Sequence, residues 1–335
     1  MNNTLKVSAS PHERSSLTTR TIMMLVAAAL APACLVGILT GGVHVILVIA
    51  VSVASSVFFE YIYEKLMKKP VTIGDFSAVV TGLLIAMNMP PNIVWWVPVL
   101  GAAFGILIVK QLYGGLGQNF MNPALGARCF LLISFAGRMT DFTPTKGLLS
   151  VTTEVASTTD ALSGATPLAY LKTGAHFDLK ALFLGTVQGT IGETSALALL
   201  VGGIFLVVMG IISLRIPGTY LGTFAILTFV TAGIRGYSNP FVFTLEELCA
   251  GGIMLGAWFM ATDYVTSPIT PKGQLVYGTL LGVLTWIFRM IGTSSEGVSY
   301  AIIFMNLLVP MIEHYTMPLA FGIRKEKASG KGARS

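Results

Sequence analysis

The sequence predicts an all-α polytopic membrane protein, with about ten transmembrane helices arranged as two inverted five-helix repeats. Three observations carry that fold class. Of 335 residues, 54% are hydrophobic and only 11% charged, with a mean hydropathy of +0.77, whereas about a quarter of a soluble domain is charged. Apolar runs long enough to cross hydrocarbon as helices recur along the whole length, where a barrel would show short alternating segments. The Lys and Arg residues are also divided unevenly between the two sets of loops.

The runs read as spans at 21–40, 43–62, 76–89, 93–112, 122–137, 194–214, 219–234, 246–262, 274–291 and 298–315, the third and fifth being short. If the N-terminus is cytoplasmic, fourteen Lys and Arg fall on that side and six on the other, with Arg128 inside the fifth span. The positive-inside rule then puts both ends in the cytoplasm. The expected organisation is a cytoplasmic tail over 1–20, a first repeat over 21–137, an outer loop over 138–193, a second repeat over 194–315 and a basic cytoplasmic tail over 316–335. Polar residues Met1 to Arg20 lead into a full-length span with no small-residue cleavage site, so no removable signal peptide is expected.

Five spans on each side of the loop require the second unit to face the opposite way. Short echoes between the halves support a repeat. Phe120-Met121-Asn122-Pro123 opens the fifth span and Phe304-Met305-Asn306-Leu307 lies in the tenth. Lys110 and Arg289 each close a span before a glycine turn. The short third and eighth spans are each followed by proline, and short or broken spans at matching positions point to a central site where irregular backbone lines a cavity.

Composition also excludes function classes. Much of the net charge of +6 sits in the Arg324 to Arg334 tail, so no nucleic-acid partner is implied. Cys34, Cys129 and Cys249 lie singly in apolar runs and His12, His44, His176 and His314 are solitary, which leaves no spacing for a metal or cluster site. There is no GxGxxG or Walker motif. No residue is expected to act as a catalytic group.

The charged and polar residues at or inside spans are the candidates for an ion path, because a charge at a helix centre costs about 2.5–3.5 kcal/mol on insertion scales. Asp75 and Asp263 open and close the short third and eighth spans. Asp75 has a plain reading as a helix cap, and Asp263 sits among the hydroxyls of Thr262, Tyr264, Thr266 and Ser267. Asn122 and Asn306 occupy the echoed positions. Lys110, Arg289 and Glu313 are near enough to span ends to reach headgroups, whereas Arg128 is expected to pair with a carboxylate or backbone carbonyls. Asn122-Pro123-Ala124 is also the tripeptide of aquaporins, so an inverted-repeat channel or permease for a small solute is a rival reading.

The loop is too long for an idle connection. Within it Thr166-Pro167 opens, and Gly174 closes, a short helix. The plain reading of Thr166 is a capping hydroxyl, although a helix N-terminus also favours phosphate. Asp160-Ala161-Leu162-Ser163-Gly164-Ala165-Thr166 resembles the Asp-x-x-Ser-Gly-Ala-Thr signature at which a flavin transferase joins FMN to threonine. With the ten-span layout and Phe120 to Leu125, it makes the chain similar to the NqrB/RnfD family.

That resemblance implies a membrane subunit of an Rnf-type complex, which couples electron transfer between ferredoxin and NAD to Na+ or H+ translocation. The quinone-reducing relative, an NqrB-like subunit of a Na+-translocating NADH:quinone oxidoreductase, usually carries a longer N-terminal region. It further implies covalent FMN on Thr166, with Asp160, Ser163, Gly164 and Ala165 as the recognition motif, and a second, non-covalent flavin such as riboflavin between the repeats. Partners would be the other Rnf subunits, which hold electron input and output, and the flavin transferase. The setting would be the plasma or inner membrane of a bacterium or archaeon, with the flavin loop outside.

Overall fold

The computed structural model describes residues 17–143, 147, 167–172, 177–237, 239–292 and 297–318. Asp160, Ser163, Gly164, Ala165 and Thr166 therefore lie outside the described residues, as do residues 1–16 and 319–335. All regular structure among the described residues is helical. The first half comprises α1 (Thr19–Gly41), α2 (Val43–Leu66), α3 (Ser77–Met87), α4 (Trp96–Ala103), which continues as a π-helical stretch (Phe104–Gln111), α5 (Pro123–Ser134) and α6 (Ala136–Met139). Two short helices, α7 (Pro167–Lys172) and α8 (Leu179–Leu184), follow. The second half holds α9 (Ala196–Val208), α10 (Arg215–Ile234), α11 (Pro240–Cys249), α12 (Ile253–Leu255) with a π-helical extension (Gly256–Met260), α13 (Pro271–Met290) and α14 (Val298–Thr316).

Each of the ten expected runs contains a helix. Four of them, α1, α2, α10 and α14, are long and apolar enough to cross a membrane, and a bent pair, Pro240–Cys249 with Ile253–Met260, makes a fifth if counted as one span. The other elements differ from the runs for local reasons. The run at 194–214 stops at Val208 because Gly210, at φ +70°, closes a Schellman turn: its N–H bonds Val207 O and the Ile211 N–H bonds Leu206 O. The run at 246–262 begins earlier, at an Asn239-Pro240 start in which Asn239 Oδ1 accepts from Val242 N. It then breaks by 66° between Cys249 and Ile253.

Within each half, long helices pack on their neighbours: α2 on α3 and α4, and α10 on α13. Close approach is needed between α2 and α3, where a Cβ on Gly82 would fall 2.7 Å from Val53 Cα. Small residues at such crossings let backbones touch, the usual route to helix contact without a hydrophobic driving force. The halves meet through α1 against α9, and through α5 against α14.

The end of the expected 138–193 loop and the first residues of the run after it pack inside the protein. Val187, Thr190, Ile191, Glu193, Thr194 and Ser195 are all buried. Ile191 N donates to Met89 O (2.9 Å) and Gly192 N to Met87 O (2.8 Å). This segment satisfies carbonyls released at the C-terminal end of α3, which is too short to carry them to water.

Candidate functional site

Three interrupted elements converge between the halves. The C-terminal end of α3, the Asn-Pro start of α5 and the end of the 256–260 π-helical stretch all bring unpaired backbone groups to the centre, and side chains meet them. Asn122 is the N-cap of α5: its Oδ1 accepts from Ala124 N (3.0 Å) and Leu125 N (3.4 Å), while its Nδ2 donates to Met260 O (3.4 Å). Asn88 Nδ2 donates to Leu84 O (2.7 Å). Arg128 Nη1 donates to Asn88 Oδ1 (2.5 Å). Glu193 Oε2 and Arg128 Nη1 both come up to Gly252.

Asn306, 3% exposed in the middle of α14, faces this centre from the other half. The amide orientation that suits its surroundings turns Nδ2 towards Thr266 O (3.1 Å), Ile302 O (3.2 Å) and Tyr277 Oη (2.7 Å), and lets Oδ1 accept from Asn122 N (3.3 Å). The two asparagines at echoed positions in the sequence thus touch. The fold brings them together over a separation that no local pattern spans.

Beside them a cleft opens, about 790 Å³ including the part continuous with solvent. Ser77, Lys110, Asn119, Asn122 and Asp263 supply its polar wall, and Trp258 and Phe259 from the π-helical stretch part of its apolar wall. π-Helical turns commonly accompany functional sites, because the extra residue per turn displaces side chains from the α-helical register. Asp263 accepts from Thr266 Oγ1 (3.1 Å) and Val265 N (3.5 Å). Asp75 sits one step back from the cleft, at the end of a 3-10 turn: its Oδ1 accepts from Ser77 N (2.8 Å) and Ser77 Oγ (2.7 Å), at the first residue of α3, whose N-cap is Phe76. Of the four ion-path candidates, Asn122 and Asp263 line the cleft. Asn306 touches Asn122 behind it, and Asp75 reaches it through Ser77.

Lys110 and Arg289 do not snorkel. Each is 2% exposed and ion-paired within the protein. Lys110 Nζ donates to both oxygens of Glu60 (2.8 and 3.0 Å) and to Ser77 Oγ (2.6 Å), and Gln111 Nε2 adds a bond to Glu60 (3.1 Å). Arg289 Nη1 donates to Glu247 O (2.6 Å) and Glu247 Oε2 (3.2 Å), and Nη2 to Ala250 O (3.0 Å). The reason lies in their partners: Glu60 is 0% and Glu247 2% exposed, and a carboxylate taken out of water must be paired. Glu60 and Glu247 were visible in the sequence as carboxylates inside apolar stretches, the signal that would have found these pairs.

Comparison with known proteins places the chain. The profile of the NQR2, RnfD, RnfE family matches residues 6–322. The chain belongs to that family. The D subunit of a Na(+)-translocating ferredoxin:NAD(+) oxidoreductase complex from Acetobacterium woodii is 46% identical over 332 residues, covering 98% of both chains. Its counterpart in a proton-translocating ferredoxin:NAD(+) oxidoreductase complex from Clostridium ljungdahlii is 39% identical over 335 residues, covering 96% of this chain and 98% of that one. The D subunit of an ion-translocating oxidoreductase complex from Cronobacter sakazakii is 35% identical, covering 95% and 99%. Within this NQR2, RnfD, RnfE chain the central cleft, its two asparagines and the paired cations are the parts with a chemistry of their own.

Proposed function

We propose that this chain is the RnfD-type membrane subunit of an Rnf-type complex that couples electron transfer between ferredoxin and NAD to Na+ or H+ translocation, and that FMN is joined to Thr166. The observation that carries the complex-level reading is 46% identity, over 98% of the chain, to the D subunit of such a complex. The flavin reading is supported by Asp160 to Thr166 within a chain of this family. Thr166 directly precedes α7, and the residues after it are anchored, with Leu168 and Leu171 at 1% and 0% exposure. Flavin would supply one-electron chemistry there, and the threonine serves only as attachment.

The cleft suits a second, non-covalent flavin such as riboflavin. Trp258 and Phe259 offer apolar surface, and the Asn119 and Asn122 amides offer polar groups for a carbonyl-bearing edge, the mixture that ligand pockets use for affinity and orientation. Asp263 and Asn122 on the cleft wall, with Asn306 and Asp75 behind it, remain our choice for the ion path. We read the architecture as ten spans in two inverted units, with both ends cytoplasmic and the 138–193 loop on the outer side. The Asn122–Asn306 contact and the matched Lys110 and Arg289 pairs support that symmetry.

Coexpression with a flavin transferase followed by a denaturing gel tests the flavin assignment. The intact protein should fluoresce yellow-green and Thr166→Ala should be dark, and an impermeant quencher should reach the fluorophore in intact cells. Equal brightness after Thr166→Ala would sink the assignment, and protection from the quencher would reverse the orientation. A sodium titration of transport by the complete complex in vesicles separates Na+ from H+ coupling.

A further inference from the structure

The six-residue helix that follows Thr166 is seated on the second half of the molecule. Leu168 and Leu171 enter an apolar cluster separate from the main core, with Leu182, Val187, Phe243 and Ala250. At the other end of α7, Lys172 Nζ donates to Gly292 O (2.9 Å), just beyond α13. The surface on which Leu168 lands is the turn that separates α11 from α12. Gly251 in that turn has φ +69°, and a Cβ placed on it would lie 3.0 Å from Arg289 Nη2 and 3.1 Å from Leu168 Cδ2. The guanidinium, the glycine and the leucine meet at one point.

Arg289 gives that turn its shape. Its two terminal nitrogens bind the carbonyls of Glu247 and Ala250 and the Glu247 carboxylate, at a helix end whose last carbonyls have no intrahelical partners. Its guanidinium lies over the Phe224 ring of α10, 5.2 Å from the centroid. A planar fork with fixed donors suits this task, and a lysine cannot span both carbonyls in the same way.

We propose that Arg289 is a positioning residue for the tethered flavin. It braces the 250–252 turn into a seat for Leu168, and the seated helix holds the chain from Pro167 onward, directly after the attachment threonine in sequence. This rests on the assignment of FMN to Thr166. Arg289 acts through Gly251 and Leu168. Its value to electron transfer is geometric: transfer falls steeply with distance, so a carrier on a long loop needs a fixed pivot to reach its donor and acceptor reproducibly.

The test uses the complete purified complex, made with the flavin transferase, in wild-type, Leu168→Ala, Leu168→Met and Arg289→Lys forms. Two readouts are taken: flavin fluorescence on a denaturing gel and iodide quenching of the native protein. All four should be bright on the gel, since Asp160 to Thr166 is unchanged. Leu168→Ala and Arg289→Lys should raise the iodide quenching constant on the order of twofold or more, as local opening of the seat frees the tether. Leu168→Met, which refills the volume, should restore the wild-type value. Bright bands with unchanged quenching in both Leu168→Ala and Arg289→Lys would overturn this proposal alone. A dark wild-type band would remove the flavin assignment and this proposal with it.

Discussion

Lys110 and Arg289 end corresponding runs in the two halves, are equally buried and hold one carboxylate each, yet they are wired differently. Lys110 bonds only side chains, the two oxygens of Glu60 and the hydroxyl of Ser77, and it lines the central cleft. Arg289 spends two of its three bonds on backbone carbonyls and stacks on Phe224. The ammonium is a compact charge with rotatable donors, whereas the guanidinium is a rigid fork. The contrast teaches that one position serves as a charge facing a cleft in the first half, and as a brace for a broken helix in the second.

Breaking either pair tests that contrast most strongly. Removing one partner of a buried ion pair costs about 3–5 kcal/mol, so Lys110→Met and Arg289→Met should both lower the melting temperature of the purified complex, Arg289→Met by more. Second substitutions separate them. Glu60→Leu added to Lys110→Met should recover most of the loss, because no buried charge remains. Glu247→Leu added to Arg289→Met should recover less, because the carbonyls of residues 247 and 250 stay bare. Equal recovery in the two double variants would erase the distinction.

A smaller effect is expected where the cleft is altered without disturbing a pair. Asp263→Asn keeps most of the shape of the polar turn while removing its charge. Coupled transport by reconstituted complex should fall while covalent flavin on the gel is retained, and unchanged transport would take Asp263 out of the ion path. The smallest effect belongs to the contact between Tyr277 and Asn306 behind the cleft. Tyr277→Phe removes one buried hydrogen bond, worth about 1 kcal/mol, and a loss several times larger in thermal unfolding would mean that this bond orients the Asn306 amide that meets Asn122 across the halves.

Much of the architecture was legible in the residues. Hydropathy located a helix in every expected run, and Asn122-Pro123, read as the opening of the fifth span, is the N-cap and first residue of α5. The Asn239-Pro240 start was equally plain as chemistry, but a hydropathy window passes over polar caps. The burial of residues 189–193 was not legible, because Thr190, Gly192 and Glu193 read as loop until one knows that α3 ends inside the protein and needs donors for its carbonyls. Lys110 and Arg289 looked like interfacial cations for a similar reason: distance from a span end says where a side chain is able to reach, and only the neighbouring helix says what it finds there.

The sequence by itself determined that this is a helical membrane chain, where most of its helices begin and which residues form the threonine motif. These depend on composition, caps and short local patterns, which a chain carries wherever it folds. Tertiary structure alone decided that Asn122 meets Asn306, that Glu60 and Glu247 have cations, and that α7 rests on the turn held by Arg289. Those facts concern residues 42 to 184 positions apart, and a contact over that distance is set by how helices pack.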